Sequence, residues 1–302
     1  MKAVFLALLL ITACSVNPPV SQDTKQPEKR NTSFIETQMN DPLLPNQKYI
    51  YETGINKAWK TTTGNPSLKI AVIDGEVKAH SDLAVPSIRF YSLDAPLDHA
   101  TPIASIIGAA QNNGIGMAGI TKCQILSYVA QTKMDTYLGD FRLDMVERAF
   151  YQAVADGAKI INCSFGTKND LPPIRAAVSY AIQRGVVVVA AAGNSGETSL
   201  TYPAAYPSVI GVGASYEGKR TEWSSHGSWV AVYAPGQGLL TLLPDRTTIL
   251  SGTSAATPVV TGTVGLMLSV NPKLKPLEIR QIILLTSKAG QLDAYEAMRK
   301  VK

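Results

Sequence analysis

Three side chains, widely spaced along the chain, could together perform nucleophilic catalysis. Asp74 ends an apolar run, His99 opens the segment HATPIASIIG, and Ser254 follows a Gly-Thr turn. A serine becomes a nucleophile when a base takes its proton and a third group orients that base. The order aspartate, histidine, serine is one of the known chain orders of such a triad. The chemistry would be acyl transfer through a covalent acyl-enzyme.

The local sequence also allows a plainer interpretation of two of these residues. His99, one of three histidines in the chain, equally fits a polar residue at a helix start, and nothing local decides between the two. A serine at a helix N-terminus is commonly a capping residue. Its backbone N–H and the helix dipole can also stabilise an oxyanion. On the local sequence alone, these two interpretations of Ser254 stay open.

The rest of the sequence predicts the elements that would position these side chains. Continuous apolar, β-branched runs are typical of strands buried on both faces. Helical spacing of apolar residues occurs between them, at 136–157 and 171–185, and two late helices are expected near 253–270 and 276–287. This alternation predicts an α/β fold of three layers, a mostly parallel twisted sheet with helices on both faces. The predicted strands are LKIAVID (68–74), QILSYVA (124–130), KIINCSF (159–165), VVVVAAA (186–192) and SVIGVGA (208–214).

The residues that follow these strands are candidates for a site. An open parallel sheet binds ligands at the carboxyl ends of its strands. Asp74, Ser164-Phe165-Gly166 and Gly193-Asn194-Ser195 all lie there. Taken alone, Gly193-Asn194 reads as a turn after a strand.

Six segments of the sequence, in the same order, resemble the subtilisin-like serine peptidases, the S8 or subtilase family. The likeness spans residues 46–298. It implies the subtilisin-like fold and a serine endopeptidase that acts on proteins or peptides and needs no cofactor for its chemistry. The segments are AVIDGEVKAHSDL, DHATPIASIIGAAQNNGIGMAGI, IINCSFG, VVVVAAAGNSG, YPAAYPSVIGVGA and SGTSAATP.

The resemblance also implies a role for each matching residue. Ser254 matches the nucleophile, His99 the base and Asp74 the carboxylate that orients it. Asn194 matches the side chain that completes the oxyanion hole with the Ser254 N–H. The walls of the pocket for the substrate residue before the cut are small and apolar, which implies a broad preference for apolar side chains. Those walls match Ser164, Phe165 and Gly166 on one side, and Ala191, Ala192 and Gly193 on the other.

The sequence departs from the family's usual pattern beside the predicted acid and base. Gly75 stands where the family usually has serine or threonine, and Glu76 places a second carboxylate nearby. Ala100 and Pro102 stand where the family usually has glycine and a second histidine. A proline there is tolerable in the first helical turn, where its missing N–H has no partner. Segment 131–141 lacks the Gly- and Ser-rich character of the family's substrate-pairing strand.

The segment AAQNNGIGMAG resembles the family's calcium loop. Asn113, and Asp82 from the segment HSDL, match side-chain ligands there. Calcium takes six to eight oxygen ligands, so two side chains with some carbonyls are a thin set. An ordinary Asn-Gly turn explains the segment equally well. A structural calcium ion is therefore an open expectation.

The N-terminus predicts a bacterial lipoprotein signal peptide over residues 1–13. Lys2 precedes an apolar run over 3–13 that is too short to span a bilayer, which needs roughly 20 residues. The ending ITAC resembles the lipoprotein box, which implies cleavage before Cys14 and its acylation. An ordinary signal peptide that contains a cysteine is the alternative. We expect an exported chain, anchored by lipid to a cell-envelope membrane, with a flexible linker over 14–45 and the peptidase domain over 46–302.

The charge distribution and the cysteine positions argue against binding of nucleic acid and against a zinc site. The 302-residue chain is 45% hydrophobic and carries a net charge of +5, but its Lys and Arg are scattered. No basic cluster with interleaved aromatics points to nucleic acid. Cys123 and Cys163 fall toward opposite ends of the predicted sheet, so we expect free thiols rather than a disulfide or a zinc site. We expect a monomer.

Two other function classes compete with an active peptidase. An active peptidase is the leading interpretation, and the departures beside the predicted acid and base motivate the second, a silent relative that binds peptides or partners without cutting them. A parallel sheet also suits a dinucleotide-binding enzyme, which needs G-x-G-x-x-G between the first strand and helix. GVGASYEG has Tyr216 in place of the third glycine and no such helix after it, which excludes that class.

Overall fold

The computed structural model describes residues 39–83, 85, 87–89, 98–131 and 141–301. A large sheet has the order β2-β3-β1-β4-β5-β6-β7, with β8 also paired to β6, and β9 and β10 form a separate antiparallel hairpin. Within the described residues every pair in the large sheet is parallel except β6–β7. The strands are β1 (Lys69–Asp74), β2 (Ser87–Arg89), β3 (Gln124–Val129), β4 (Ile160–Cys163), β5 (Val187–Ala191), β6 (Ile210–Tyr216), β7 (Lys219–Arg220), β8 (Val230–Pro235), β9 (Leu239–Leu242) and β10 (Thr247–Leu250).

Helices cover both faces of this sheet. One hydrophobic cluster joins the sheet to α3, α6, α7 and α8, and a second joins its other face to α4 and α5. Successive residues of a strand face opposite sides: Ile70 and Val72 belong to the first cluster, Ala71 and Ile73 to the second. The helices are α1 (Lys48–Glu52), α2 (Ile55–Ala58), α3 (Ala100–Gly108), α4 (Leu143–Ala155), α5 (Pro172–Gln183), α6 (Thr253–Val270), α7 (Pro276–Thr286) and α8 (Ala294–Lys300), with a 3₁₀ turn at Leu44–Asn46.

The predicted three-layer α/β class is confirmed. Each of the five predicted strands begins and ends within two residues of an observed one. Continuous apolar runs were sufficient to locate these strands because both faces of a parallel sheet are covered by helices. The predicted helix over 136–157 corresponds to α4, and residues 136–140 lie outside the described residues.

Helix α6 is buried along nearly its whole length. It is long and apolar enough to cross a membrane, with a mean hydropathy of 1.3, but 89% of it is buried inside the fold. It packs against α3 and against strands β4, β5, β6 and β8. It is therefore a core helix, and Ser254 is its second residue.

The start of the folded domain requires a correction. The linker was expected to continue to residue 45, but Asp41 and Leu44 are buried, at 3% and 4% exposure. The Leu43 N–H donates to the Gly116 carbonyl, and both Asp41 carboxylate oxygens accept from the Asn112 N–H. The fold therefore includes residues before 46, and the expected signal peptide, Cys14 and linker residues up to 38 lie outside the described residues.

The two cysteines of the described residues are buried and form no disulfide there. Burial raises the pKa of the Cys163 thiol, and the charge of Asp74 raises it further. A thiol reacts as its thiolate, so Cys163 behaves as a small apolar side chain.

Candidate active site

The carboxyl edge of the sheet gathers the four predicted catalytic residues. Asp74 is the last residue of β1, and His99 directly precedes α3. Asn194 follows the end of β5, and Ser254 is the second residue of α6. Open parallel sheets bind ligands at this edge. Two helices therefore begin, and two strands end, around one place on the surface.

Asp74 and His99 form a direct polar pair. His99 Nδ1 lies 2.9 Å from Asp74 Oδ1 and 3.0 Å from Oδ2. The Asp74 side chain is fully buried, and that of His99 is 15% exposed. His99 occupies the N-cap position of α3, but its side chain caps no helix N–H. The side chain is instead committed to the carboxylate, so proton exchange with a serine would use Nε2.

A backbone group supports the Asp74 carboxylate where the family's hydroxyl is missing. The Gly75 N–H donates to Asp74 Oδ1 over 2.7 Å. The Ser127 hydroxyl, on the neighbouring strand, donates to the Gly75 carbonyl. Gly75 itself is thus held in place from β3, and the loss of a side-chain hydroxyl there leaves Asp74 with a close donor.

Ser254 is buried but is not a capping residue. The N-cap of α6 is Gly252, two residues earlier, and no side chain caps this helix. The Ser254 hydroxyl oxygen is buried and forms no hydrogen bond with any of the described residues. Buried polar groups are almost always hydrogen-bonded, and an exception needs an explanation. The capping interpretation of Ser254 is therefore wrong, and a role in chemistry would explain the unsatisfied hydroxyl.

Asn194 is held in one orientation by Thr253. Asn194 Oδ1 accepts from the Thr253 N–H over 2.9 Å and from the Thr253 hydroxyl over 3.0 Å. The same hydroxyl accepts from the Gly193 N–H over 3.1 Å. Since the amide oxygen is engaged, the Asn194 NH₂ group is turned the other way. No role is predicted for Thr253 from the sequence, although this residue directly precedes the predicted nucleophile.

Gly252 marks the space on which the candidate oxyanion donors converge. A methyl carbon placed on Gly252 would lie 2.9 Å from Ser254 Oγ, 3.5 Å from Asn194 Nδ2 and 3.6 Å from Ser254 N. The hydroxyl, the amide NH₂ and the backbone N–H therefore surround one small volume. Gly252 also has a φ of +136°, which disfavours any side chain. Glycine keeps this volume open.

Hydrogen bonds connect strand β4 to helix α6. Strand β4 directly precedes the predicted pocket wall at Ser164, Phe165 and Gly166. Asn162, in β4, donates to the Ser164 hydroxyl, which donates to the Ser254 carbonyl over 3.1 Å. Thr261 in α6 donates to Asn162 Oδ1 over 2.7 Å. All of these side chains are buried. The register between β4 and the helix of Ser254 is thus fixed, and the Ser164 side chain is used for it.

The two predicted pocket walls lie side by side because β4 and β5 are parallel neighbours. Phe165 packs against Phe141, with ring centroids 4.6 Å apart, so its side chain joins the core. Ala191 and Ala192 are buried, at 3% and 0% exposure. The walls therefore present mainly backbone and the half-buried glycines Gly166 and Gly193.

Thr201 lies between these two walls. A methyl carbon on Gly166 would lie 2.5 Å from Thr201 Cγ2, and one on Gly193 would lie 3.3 Å from Thr201 Oγ1. One side chain thus fills the space that both glycines leave open. Thr201 is not among the residues predicted to form the pocket, although it lies against both predicted walls.

The unusual residues after His99 fit the helix. Pro102 is in the first turn of α3, as its missing N–H requires. Thr101 accepts a hydrogen bond from the Lys78 N–H over 3.0 Å, and the Lys78 ammonium pairs with Asp98 over 2.5 Å. The segment after β1 is thereby clamped to the start of α3. Of the predicted substrate-pairing segment 131–141, residues 132–140 lie outside the described residues.

The two expected calcium ligands are in contact with each other. Asn113 Nδ2 donates to Asp82 Oδ1 over 2.7 Å, and the Met117 N–H donates to Asp82 Oδ2 over 2.8 Å. Burial raises the pKa of Asp82, and the charge of Asp41 raises it further. Among the described residues no group of three or more His, Cys, Asp or Glu could hold a metal ion. The two buried carboxylates Asp41 and Asp82 suit a cation, but the Asn113 side chain presents its amide nitrogen, and not its oxygen, to Asp82.

Known proteins resemble this chain over most of its length. A family model described as "Subtilase family" (Peptidase_S8) matches residues 50–298. The "Thermophilic serine proteinase" of Bacillus sp. (strain AK1) is 36% identical over 287 residues, 86% of this chain and 70% of that protein. "Thermitase" of Thermoactinomyces vulgaris is 35% identical over 242 residues, 76% of this chain and 85% of that protein.

Solved structures show the same fold. The prenylagaramide maturation protease PagA aligns with a TM-score of 0.74 and 28% identity, covering 82% of this chain and 98% of that chain. A protease from Pseudoalteromonas arctica PAMC 21717 aligns with a TM-score of 0.78, covering 88% of this chain and all of that chain; at 23% identity this likeness concerns the fold alone. The chain therefore belongs to the subtilase family of serine endopeptidases.

Proposed function

We propose that the chain is an active endopeptidase in which Ser254 is the nucleophile, His99 the base and Asp74 the carboxylate that orients the base. One observation carries this proposal. His99 Nδ1 is held by both oxygens of a fully buried carboxylate. At the same edge of the sheet, the buried Ser254 hydroxyl makes no hydrogen bond with the described residues.

Acylation begins with transfer of the Ser254 hydroxyl proton to His99 Nε2. The serine oxygen bonds to the carbonyl carbon of the substrate, whose oxygen takes up the negative charge. His99 becomes an imidazolium, which the neighbouring Asp74 charge stabilises. The hydroxyl must first turn toward Nε2, and catalytic hydrogen bonds are often long before substrate is bound.

The intermediate then collapses to an acyl-enzyme. His99 gives its proton to the leaving amine as the carbon–nitrogen bond breaks. A water molecule next loses a proton to His99 and attacks the ester, and the proton returns to Ser254 when the acid product leaves. The amine and the carboxylic acid are the two products, and the enzyme is regenerated.

Two hydrogen-bond donors would stabilise the oxyanion. The Ser254 N–H lies at the N-terminus of α6, where the helix dipole adds positive potential. The Asn194 NH₂ is aimed into the same volume because Thr253 holds the amide oxygen. Donors fixed before the reaction need no reorganisation when charge develops on the oxygen.

The substrate is a protein or peptide with a small apolar residue before the cut. Backbone and glycines form the walls, and Thr201 fills the space between Gly166 and Gly193. We propose a monomeric enzyme, because the proposed triad and oxyanion donors need no residue from a second chain.

An active-site label tests this function against that of a silent relative. A fluorophosphonate reacts with an activated serine, so the folded chain should be labelled and should cleave casein. Ser254→Ala is the matched control and should take no label, while circular dichroism verifies that both are folded. A folded wild-type chain that neither labels nor cleaves would reject catalysis and leave a binding protein.

A structural calcium ion at Asp82 and Asn113 is a separate proposal. The two carboxylates Asp41 and Asp82 are buried close together, and a cation would offset their repulsion. Asn113 would have to rotate its amide to contribute an oxygen. The ion would serve stability, and no step of the proposed chemistry passes through it.

We also propose export and acylation at Cys14. The support is the apolar run before it and the ITAC ending. As a flexible linker, residues 15–38 would reach at most about 80 Å stretched and roughly 30 Å on average. A Cys14→Ser variant should move from the membrane fraction to the soluble fraction, and a variant that stays with membranes would reject the anchor.

A further inference from the structure

Helix α7 carries an apolar stripe that no described part of the chain covers. Leu277, Leu284 and Leu285 are 50%, 40% and 83% exposed. Their spacing in sequence, 277, 284 and 285, places the three leucines on one side of the helix, where Gln281 is also exposed between them. The other side is buried through Ile279 and Ile283. A surface helix normally turns polar residues outward, so an apolar stripe on the outer side points to an interaction.

Amines flank this stripe at both ends. Lys273 and Lys275 precede the helix and Lys288 follows it, all exposed. Lys288 also pairs with Asp293 over 2.8 Å. Glu278 is the one acidic residue in 271–288, and its carboxylate accepts from the Lys275 N–H over 2.7 Å. Leucines between lysines are typical of a helix that lies in the interface of an anionic bilayer.

The stripe begins at the end of the sheet opposite the active site. Helix α6 starts at the catalytic edge with Ser254 and extends away from it for about 27 Å, and α7 starts a few residues beyond the end of α6. Arg280 in α7 donates to the Val209 carbonyl. Val209 directly precedes β6, so it marks the amino edge of the sheet.

The chain leaves the described fold toward Cys14 at this same end. Helix α3 begins beside Asp74 and runs away from the carboxyl edge, and the loop after it contacts Asn40. The Asn40 N–H donates to Asn112 Oδ1 over 3.2 Å, and Asn40 Oδ1 accepts from the Gly114 N–H over 2.8 Å. The start of the stripe, at Leu277, and the exit point therefore both lie on the side of the sheet away from the catalytic edge.

We propose that the α7 stripe rests on the surface of an anionic membrane, with its three leucines among the lipid headgroups and its lysines near their phosphates. The inference rests on the proposed lipid anchor and adds an orientation to it. Contact at α7 fixes the orientation of the anchored domain, with its catalytic edge toward the aqueous side. Without that contact the domain would rotate freely on its linker. Substrates would then reach the site from solution, and the lipid surface would not enter the cleft.

Cysteine labelling of the full-length chain in its own membranes tests this orientation. Cys123 and Cys163 are buried and the proposed acylation blocks Cys14, so they give little background; where the chain is soluble, a Cys14→Ser background removes the third thiol. A Leu285→Cys variant should react with a polar maleimide on the order of tenfold more slowly in membranes than after detergent extraction. The control is Leu200→Cys, which is 47% exposed beside Thr201 at the catalytic edge. Its reaction rate should be the same in both states.

The possible outcomes distinguish a failure of the α7 docking from a failure of the proposed lipid anchor. A membrane-bound chain whose Leu285→Cys thiol reacts equally fast in both states overturns the docking. Protection that persists in detergent also overturns it, because a protein or a second copy would then cover the stripe. If the full-length chain is found in the soluble fraction, the anchor has failed. Phosphatidylglycerol vesicles added to that soluble chain should still protect Leu285→Cys, and no protection there would overturn the docking.

Discussion

The side-chain oxygen of Asn194 accepts two hydrogen bonds from one residue, the backbone N–H and the hydroxyl of Thr253, at 2.9 and 3.0 Å. A primary amide has an oxygen end and a nitrogen end that differ in chemistry. With the oxygen doubly engaged, only the NH₂ can face Ser254. Thr253 is thus a positioning residue for the candidate oxyanion hole.

Removing the Thr253 hydroxyl should weaken catalysis more than binding. Thr253→Val keeps the shape and the backbone donor but loses one of the two bonds to Asn194. We expect kcat to fall roughly tenfold, well short of the 10²–10³ that loss of an oxyanion donor costs, with KM little changed. Thr253→Ser restores the hydroxyl and should recover most of the rate. Equal losses in both variants would point to packing instead.

The loss of Ser254 and the loss of His99 should not add. Ser254→Ala, His99→Ala and the double mutant should be almost equally inactive, each down by about 10⁶, the loss that subtilisin itself shows. The reason is that one proton transfer needs both groups. Single-turnover cleavage of a chromogenic peptide measures this. A double mutant far below both single mutants would mean that the two residues act separately.

Thr201→Gly should widen the substrate pocket. The threonine occupies the space beside Gly166 and Gly193, so its removal admits a larger side chain before the cut. We expect kcat/KM for a phenylalanine substrate to rise about tenfold or more relative to alanine. A series of peptides that differ only at that position provides the measurement. An unchanged ranking would place Thr201 outside the pocket.

Bound calcium should raise the free energy of unfolding, and a rise in pH without calcium should lower it, both through Asp82. Burial raises its pKa, so the folded state holds the proton more tightly than the unfolded state. Without calcium, the free energy of unfolding should therefore fall as pH rises from about 4 through the raised pKa. Calcium needs the ionised form and should restore stability above that pKa.

Melting temperatures at several pH values, in EDTA and in calcium, measure both effects. A Ser254→Ala background prevents self-digestion during heating. In that background Asp82→Asn should lose the calcium effect and flatten the pH slope. If the wild-type melting temperature is the same in calcium and in EDTA, the proposed calcium site is wrong.

Residues 39–45 should contribute to stability. Leu44 is buried in the first hydrophobic cluster, and deleting a buried leucine side chain typically costs about 2–5 kcal/mol. In a Ser254→Ala background, a chain that starts at Asn46 should be less stable than one that starts at Met39 by at least that amount. Urea unfolding followed by circular dichroism compares them, with Leu44→Ala in the longer chain as the matched substitution. Equal midpoints would show that this segment is dispensable.

The sequence was sufficient to predict the sheet because burial on both faces produces continuous apolar runs such as VVVVAAA. The end of each run also located the edge where Asp74 and Asn194 lie. Polar residues directly after buried strands are visible without a structure, and the parallel sheet gathers them at one edge. The pairing of His99 with Asp74 is predicted from the chain order of the triad and from the resemblance to the subtilases.

Other features depend on contacts that sequence spacing does not encode. Thr201 is brought to Gly166 by an isolated β-bridge between Thr167 and Tyr202, outside the named strands. Leu44 follows a long polar segment, so the composition of this region predicted a linker and not a buried residue. Ser254 follows a glycine and a threonine, and the sequence could not show that the helix cap falls at Gly252, which frees the serine from that role.

The buried helix α6 has a consequence for the route by which the chain reaches its place of action. If the chain crosses a membrane before it folds, this segment passes the translocation machinery with no core around it. Its length and its mean hydropathy of 1.3 place it near the composition of a stop-transfer segment. Its threonines and glycines lower the hydrophobicity of the segment. A change such as Thr261→Leu or Thr263→Leu, which makes the helix more apolar, would then favour arrest in the bilayer. The upper limit on the hydrophobicity of this core helix would then be set by transport and not by folding.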